Sequence, residues 1–399
     1  MVVAQYPFPV LGGLERQAHE LAKALVPLGI HVEALSGRVR PEQASIENVE
    51  GIRVYRLAWF QRAWLRFVFT PFSLFGQLFR LRDRYDVIHL HQHSWFGLFT
   101  ILAAWVLGKP ILTKLCNVGE WGLPGLRTSR LGNLKMRILL RSDAVVAMCQ
   151  QSIDELADEH FPLQRTLAVP NGIRLALADA AAVAEPRVTE SMVAMSDQSK
   201  QRPCRAVFVG RIADEKQPEL LLRAWQAAVS RAKNPAVLEF WGTGPLQATA
   251  QDLCEQMSLS DSVVFRGHVN TVRDWLPNMD MFVMASRVEG NSNSILEAMA
   301  AGLAIVGTRV GGTAMQVGPR GAELLCEPNE TNRLADHMLR LIDDPAMRAS
   351  LGSAMRERIE ELFAIEQIAP IYANAYQLLH KHKREQMQSI GHRALMGSA

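Results

Sequence analysis

Residues 289–312 read EGNSNSILEAMAAGLAIVGTRVGG, and this stretch decides the fold. It follows a hydrophobic segment at 281–284, and its pattern predicts a loop, then a helix, then another strand. Glu289 and Glu297 are separated by seven residues in it. An acidic residue near a helix N-terminus complements the helix dipole, which explains one glutamate well and both poorly. We expect both carboxylates to face one cleft, where Glu297 accepts hydrogen bonds from two vicinal hydroxyls, as a ribose offers.

Outward from this stretch, short β-branched segments alternate with longer amphipathic segments along most of the chain. The strand candidates are residues 86–90, 111–113, 144–147, 206–210, 237–242, 263–265, 281–284 and 304–307. Such alternation predicts parallel sheets with helices on both faces. The predicted fold class is therefore α/β, with two Rossmann-like, doubly wound, parallel-sheet domains. In sheets of this kind, ligands bind beyond the carboxyl ends of the strands.

A composition break divides the chain. Residues 175–203 are rich in Ala, Ser and polar residues and have no strand period, which is typical of a linker. We therefore predict a first domain at 1–174, a second domain at 204–380 that includes the C-terminal helices, and a basic tail at 381–399. The length of 399 residues agrees with two domains of roughly 100–200 residues each.

Charge and cysteine usage exclude several classes of protein. The net charge of +3 is too small to indicate a nucleic-acid partner. The five cysteines are odd in number and widely spaced, which argues against a disulfide framework or a zinc site and favours the reducing cytoplasm. The N-terminus lacks a signal-peptide pattern, and the longest nearly apolar run, 95–108, is shorter than the roughly 20 residues that a spanning helix needs.

Two loops have the composition of phosphate-binding turns. Gly12 and Gly13 precede a helix, where paired glycines let a ligand approach and the helix N-terminus presents N–H groups to an anion. Two glycines at a strand–helix turn are also a common structural requirement, and the pattern is not the G-x-G-x-x-G of a dehydrogenase. Gly210 ends a strand, and Arg211 and Lys216 follow it, so two cations lie where a diphosphate would fit. The alternative is a solvated loop with ordinary surface charges.

The stretch at 289–312 resembles the signature of the retaining glycosyltransferases of group 1, which have the GT-B fold and are marked by E-x7-E. The similarity extends to VGRIADEK, FWGTGPL, VVFRGHV, VPNGI and the N-terminal LGGLERQAHELAKAL, and so spans most of the chain in the expected order. It implies two domains facing each other across a cleft, with an acceptor-side first domain and a second domain that binds the nucleotide sugar.

The resemblance also implies roles for individual residues. Gly12 and Gly13 would close on the donor phosphates, and Arg211 and Lys216, beside Gly210, would hold the diphosphate. Glu297 would bind the ribose hydroxyls and Glu289 would lie close to the donor sugar. Backbone amides around Asn293 and Ser294 would add phosphate or sugar contacts. The catalytic set is then Glu289, Arg211 and Lys216. No D-x-D triplet occurs in the sequence, so we expect no metal and no other cofactor.

The first domain departs from the family pattern. Many relatives carry a histidine after the strand that corresponds to 111–113, whereas this chain reads KLCNVGEWG from Lys114. Asn117, Glu120 or the Gly119 backbone are the candidate replacements on the acceptor side. His91 and His93, which follow another strand, are candidates for contact with the donor sugar or the acceptor; a zinc site would need a further ligand.

Residues 51–82 contain six arginines, no acidic residue and nine aromatic side chains before Arg82. Basic residues among bulky aromatics are typical of an interfacial helix on an anionic membrane, which would suit a lipid-linked saccharide acceptor and a peripheral location on the inner face of the membrane. Pro71 would break or kink such a helix. The alternative is that the aromatics pack inside the domain while the arginines extend to solvent.

Two other functions stay open at this point. A sugar-nucleotide epimerase or a phosphorylase has a similar architecture, although E-x7-E argues against the first and a phosphorylase would need a cofactor lysine late in the chain. Only residues 1–5 precede the first glycine turn, so the first strand is expected to be short. This short strand and the missing histidine leave a catalytically inactive, nucleotide-binding scaffold of a polysaccharide assembly complex as the third interpretation.

Overall fold

The computed structural model describes residues 1–6, 12–58, 62–91, 95–175 and 202–396. It divides into two compact units, of which one comprises Met1–Arg174 together with Phe363–Ala399 and the other comprises Leu175–Leu362. Each unit is an α/β structure built on one sheet. Two doubly wound, Rossmann-like domains are thus confirmed.

The first unit contains an eight-stranded sheet. In chain order its strands are β1 Val2–Val3, β2 Glu33–Ser36, β3 Ile46–Val49, β4 Ile52–Arg56, β5 Ile88–His91, β6 Ile111–Lys114, β7 Ala144–Ala147 and β8 Thr166–Ala168. The sheet order is β3-β4-β2-β1-β5-β6-β7-β8, and only the pairing of β3 with β4 is antiparallel. That pairing follows from a two-residue turn at Glu50 and Gly51, which both have positive φ, as a tight hairpin requires.

Helices cover both faces of this sheet. They are α1 Gly13–Leu25, α2 Ala63–Arg80, α3 Trp95–Val106, α4 Leu123–Thr128, α5 Gly132–Leu139 and α6 Gln150–Asp158. Helix α2 continues through Pro71, so of the break or kink predicted there the break is absent. Among the helices of the described residues, none combines the length and apolar character needed to cross a membrane.

The second unit contains a six-stranded sheet that is parallel throughout. Its strands are β9 Cys204–Val209, β10 Ala236–Trp241, β11 Val263–Gly267, β12 Met281–Met284, β13 Ala304–Thr308 and β14 Leu325–Cys326, in the order β11-β10-β9-β12-β13-β14. Its helices are α7 Pro218–Val229, α8 Gln247–Gln256, α9 Val272–Trp275, α10 Asn293–Ala300, α11 Thr313–Ala322, α12 Thr331–Asp343 and α13 Pro345–Leu362. Every strand predicted from the sequence is present, and the wholly apolar β12 lies inside the sheet, as its burial requires.

The last helix, α14 Ile365–Met396, changes the predicted domain boundary. It belongs to the first unit and not to a 204–380 domain, because Ile368, Tyr372 and Tyr376 pack into the same core as Ala18 and Leu21 of α1. Burying one such side chain contributes about 1.5–3 kcal/mol, so this apolar face fixes the helix on the first unit. The helix also continues through most of 381–399, where the composition predicted a tail.

Candidate functional site

The polar residues of the second unit gather where the order of its strands reverses. β9 lies between β10 and β12, so the chain winds outward in opposite directions on the two sides of the β9–β12 boundary. Loops at the carboxyl ends of these strands diverge and leave a crevice, which is the usual ligand site of such sheets. Gly210 and Arg211 follow β9, and residues 285–289 follow β12. The two segments with predicted site residues therefore meet at this edge.

Glu289 is held at this edge by two donors. A short 3₁₀ turn at Asp214–Lys216 carries Lys216, whose Nζ donates a hydrogen bond to Glu289 Oε1. Ser286 Oγ donates to the same oxygen at 2.8 Å. The side chains of Lys216 and Glu289 are 19% and 10% exposed. A charge-assisted contact with so little solvent access orients the carboxylate firmly.

The backbone of the Glu289 loop is fixed by the loop that follows β13. Gly312 N–H donates to Gly290 O at 2.9 Å, and Thr308 Oγ1 donates to Ser286 O at 2.5 Å. Gly311 has φ +48°, and a Cβ on it would overlap the Glu289 carbonyl oxygen. Only glycine permits this close approach in the left-handed region. The glycine pair at the end of the 289–312 stretch thus supports the position of Glu289.

Arg211 lies beside this pair and is the more exposed of the two predicted cations. Its guanidinium donates to Glu215 Oε1 at 2.7 Å, and its side chain is 65% exposed. Burial alone would raise the pKa of Glu215, but the hydrogen bond from Arg211, a backbone hydrogen bond and the charges of Arg211 and Lys216 together hold the pKa below its ordinary value. The Glu215 carbonyl accepts from Arg287 N–H at 2.8 Å, which joins the loops after β9 and β12.

Glu297 lies on α10, within the helix, and its side chain is 8% exposed. Its Oε1 is 3.4 Å from Nε of Arg273 on α9, a residue that the sequence analysis missed although it also follows a strand, β11. The N-terminus of α10 has no side-chain cap among the described residues. Instead, Gln316 Oε1 accepts from the Ser292 N–H at 3.1 Å, and Gln316 Nε2 donates to the Ser292 carbonyl at 2.8 Å.

Asn293 and Ser294 begin α10 and are half-buried. They therefore lie on the segment predicted to present backbone amides to a phosphate or sugar. The predicted second-unit residues Gly210, Arg211, Lys216 and Glu289 come together at the β9–β12 boundary. Glu297, Asn293 and Ser294 are on the helix that leaves the same loop, so the grouping predicted from the sequence forms one region.

In the first unit, the strand order reverses between β1 and β5, and Gly12 follows β1 there. Gly12 is the N-cap of α1 and Gly13 is its first residue. The Glu15 carboxylate folds back over Gly12, so that a Cβ on Gly12 would lie 3.1 Å from Glu15 Cδ. Burial raises the pKa of Glu15 above its ordinary value. An acidic side chain thus occupies the helix start at which the sequence predicted a phosphate.

The predicted acceptor-side residues differ in their exposure to solvent. His91 ends β5 and is fully buried, and His93 lies outside the described residues. Asn117 and Glu120 are exposed and near a 3₁₀ turn. The Gly119 backbone, which was the third candidate, already donates to Glu155 Oε1 at 2.6 Å. Gly119 therefore supports the turn and does not offer its N–H to a ligand.

No group of three or more His, Cys, Asp or Glu side chains suited to a metal ion occurs among the described residues. All five cysteines are free thiols, and burial raises the pKa of Cys116, Cys204 and Cys326 to about 11. These thiols are therefore protonated near neutral pH.

Two family models match the chain. One, described as a glycosyl transferase 4-like domain, matches residues 12–172, and the other, described as glycosyl transferases group 1, matches residues 203–344. An uncharacterized glycosyltransferase of Methanocaldococcus jannaschii is 26% identical over 401 residues, which cover 95% of this chain and 97% of that protein.

Solved structures with the same architecture include two with a TM-score of 0.72. The sucrose-phosphate synthase of Thermosynechococcus elongatus is 22% identical, and the match covers 93% of this chain and 94% of that one. The HepE protein of Anabaena in complex with UDP and glucose is 17% identical, with 94% and 98% covered. These likenesses show that the fold is GT-B.

Proposed function

The chain belongs to the glycosyltransferase group 1 family, and from that premise we propose that it is a retaining, metal-independent enzyme that uses a nucleoside-diphospho-sugar donor. The acceptor in this proposal is a saccharide or a lipid-linked saccharide, in the synthesis of a cell-surface polysaccharide or glycolipid. The observation that carries it is the contact between Lys216 and Glu289 at the β9–β12 boundary. A fixed carboxylate beside cations suits a sugar whose anomeric carbon becomes positive while its leaving diphosphate becomes negative.

The main catalytic task is to stabilise the leaving diphosphate. Lys216 and Arg211 supply two cations at the strand edge, and the N-terminus of α10 adds backbone N–H groups. Donors that are already oriented cost no reorganisation during the reaction, and removing one such donor typically costs about 3–4 kcal/mol. The Arg211–Glu215 pair is exposed, so it contributes little stability and the guanidinium can turn to a phosphate at low cost.

The carboxylates complete the proposed donor site. Glu297 accepts the two ribose hydroxyls on the side of its carboxylate away from Arg273, and Glu289 contacts the donor sugar. The pair of cations takes the role that a divalent ion has in D-x-D enzymes, which is why we propose metal independence. Because the HepE structure holds UDP and glucose, a UDP-sugar is the first donor class to test.

The donor site is tested by melting the protein with UDP, GDP, ADP, CDP and dTDP in the presence of EDTA. A ligand at 100 times its Kd stabilises the folded state by about 2.7 kcal/mol, so one nucleotide should raise the Tm clearly. Glu297→Ala should lose that shift. The matched control is Glu219→Ala, which removes an exposed glutamate of α7 and should keep it. No shift with any nucleotide in the wild type would contradict the proposal.

Transfer itself separates an enzyme from a scaffold. With the donor that the melting experiment selects, NMR of the product should show the anomeric configuration of the donor retained, at the same rate with and without EDTA. An inverted product would rule out the retaining mechanism. Binding without transfer or hydrolysis would favour the inactive scaffold.

We further propose that α2 docks on an anionic membrane surface, which would bring the enzyme to a lipid-linked acceptor on the cytoplasmic face. Leu74 and Leu78 turn inward and are buried. Phe69, Phe72 and Phe79 lie on the outer face, 42%, 72% and 50% exposed. A soluble domain rarely leaves a run of phenylalanines in water unless the surface has a partner.

Arginines border this phenylalanine face, as attraction to anionic headgroups requires. Arg62 and Arg80 are exposed, and the Arg82 guanidinium lies 4.3 Å from the Phe79 ring centre. Tyr55 and Arg56 belong to the predicted 51–82 segment but do not contribute to this surface. Tyr55 is buried in β4, and Arg56 is buried and pairs with Glu47.

Sedimentation with phosphatidylglycerol vesicles tests the docking. Phe72→Ser with Phe79→Ser should move the protein from the pellet to the supernatant without lowering its Tm, because both side chains are exposed. Leu163→Ser, which removes an apolar side chain 53% exposed elsewhere on the same unit, is the control and should leave sedimentation unchanged. Equal sedimentation of the double variant and the wild type would contradict this proposal.

A further inference from the structure

The first unit contains a buried polar cluster that the proposed function does not use. His89, His91, Lys114 and Tyr372 are 2%, 1%, 4% and 1% exposed, respectively. The first two lie on β5, Lys114 ends β6, and Tyr372 comes from α14. Such groups are rarely buried unless each has a partner.

The four side chains meet at one place. His91 and Lys114 are direct partners in the β5–β6 ladder, and the His89 and His91 rings have centroids 4.0 Å apart. The Tyr372 ring stacks on His89 at 5.3 Å, and Lys114 Nζ lies 5.8 Å from the centre of the Tyr372 ring. The cluster therefore lies between the sheet and α14, beside the β1–β5 boundary.

Hydrogen bonds satisfy only part of the cluster. Lys114 Nζ donates to Asn171 Oδ1 at 2.7 Å, and His89 Nδ1 and the Tyr376 hydroxyl are 2.6 Å apart. His89 Nε2, His91 Nε2 and the Tyr372 hydroxyl are buried and have no hydrogen-bond partner within the described parts of the chain. Three orphaned polar atoms within one cluster indicate an occupant that can bond to all of them.

Charge identifies the kind of occupant. Burial lowers the pKa of Lys114 to about 8, and within the described residues this ammonium forms no ion pair. Burial, together with the nearby Lys114, holds the pKa of both histidines well below the ordinary value, so they stay neutral. A water molecule would satisfy the orphaned atoms but would leave the buried positive charge uncompensated.

We propose that Lys114, the Tyr372 hydroxyl and the two imidazole N–H groups bind a small monovalent inorganic anion of the chloride class. An ammonium, a phenol and a neutral imidazole N–H are all donors, and a halide accepts from all of them at once. The proposal assigns His89 Nδ1 as the acceptor of the Tyr376 hydroxyl, so that the proton of His89 is on Nε2 and this atom donates to the anion. The proposal is independent of the nucleotide-sugar site in the second unit.

Thermal melts in chloride and in gluconate, at constant ionic strength and near neutral pH, test the site. The anion stabilises only the folded state, so the Tm should rise with the logarithm of the chloride concentration. Gluconate is far larger than chloride and should give no rise. Lys114→Met should abolish the chloride dependence, and Tyr372→Phe should weaken it. Lys135→Met, a lysine that bonds to Ser129, is the control and should keep the full dependence.

A crystallographic measurement on the unaltered protein tests the site even if the variants do not fold. Crystals grown in bromide should show an anomalous peak within hydrogen-bond distance of Lys114 Nζ and the Tyr372 hydroxyl. No peak there, or a chloride dependence that survives in Lys114→Met, would overturn the proposal and leave a water-filled cluster.

Discussion

The two sheets both reverse their strand order beside a lysine, but the two lysines have opposite surroundings. Lys216 in the second unit contacts Glu289 and is partly accessible, whereas Lys114 in the first unit is buried and forms no ion pair among the described residues. A cation next to a carboxylate is oriented at little cost and remains available to a substrate. A buried cation without a carboxylate destabilises the fold unless something else neutralises it. In our proposals, the same residue type thus contacts the donor diphosphate in one unit and depends on a bound anion in the other.

The largest effect is expected at Lys216. Lys216→Met removes a cation from the proposed diphosphate position and releases Glu289, so kcat should fall about 10²–10³-fold. Steady-state kinetics with the selected donor measure this change. Lys233→Met, on the surface of the same unit, is the control and should keep kcat. An unchanged kcat in Lys216→Met would remove this lysine from the catalytic machinery.

The pH dependence of stability sharpens the contrast at Lys114. Its pKa is about 8 in the folded protein and about 10.4 when unfolded, so the unfolded chain binds more protons between these values. The free energy of unfolding of the wild type, relative to Lys114→Met, should therefore rise by about 3 kcal/mol from pH 8 to pH 10.5 in gluconate.

Urea denaturation across this range checks the rise. The neighbouring histidines are already neutral, and Cys116 is present in both proteins, so the difference between the wild type and Lys114→Met reports mainly the titration of Lys114. Chloride should flatten the rise because a bound anion keeps the lysine protonated. A difference between the two proteins that does not change with pH would contradict the assigned pKa.

Gly311→Ala tests the support of Glu289. The new Cβ adopts a positive φ and overlaps the Glu289 carbonyl, so the free energy of unfolding should fall by about 2 kcal/mol and nucleotide affinity should fall with it. Denaturation and nucleotide titration measure both. Gly76→Ala, in α2 with open space around it, should be neutral or slightly stabilising. A Gly311 variant as stable as wild type would show that the loop yields easily.

The smallest effect on stability is expected at Arg211. Its pair with Glu215 is exposed, so Arg211→Gln should change the free energy of unfolding by less than about 1 kcal/mol while weakening nucleoside-diphosphate binding. Arg223→Gln breaks an exposed pair of the same i,i+4 spacing on α7 and is the matched control. It should leave binding intact. Equal binding losses in both variants would point to net charge rather than to a contact with the phosphate.

Local sequence patterns predicted the helices and strands well, because the hydrophobic period that marks each of them is contained within a short segment of the chain. The strands at 206–210 and 281–284 and the loop carrying Glu289 lie where the sequence put them. Partners distant along the chain were not predictable in the same way. Nothing local indicates that α14 packs on α1, or that Gln316 holds the start of α10.

In the candidate site, too, local features were predictable from the sequence and long-range contacts were not. Glu289 and Lys216 were identified from their loops, but their direct contact across 73 positions emerged only from the fold. Lys114 was noted only because a histidine was missing nearby. Its importance comes from burial, which depends on α14 and which no spacing rule could have indicated. Gly119 was assigned to a ligand because its partner, Glu155, is also distant in sequence.

The chain leaves the first unit after Arg174 and re-enters it at Phe363, and a short β-bridge joins these two points. This bridge has a practical consequence. Ile173 N–H donates to Phe363 O at 2.8 Å, and Ile365 N–H donates to Ile173 O at 2.8 Å. The two ends of the intervening 175–362 segment are therefore neighbours, and that segment is topologically an insertion into the first unit at a buried β-bridge between Ile173 and Ala364. A gene joining 1–174 directly to 363–399 through a few glycines should encode a self-contained fold, whereas a simple truncation after 174 would discard the helix that completes its core.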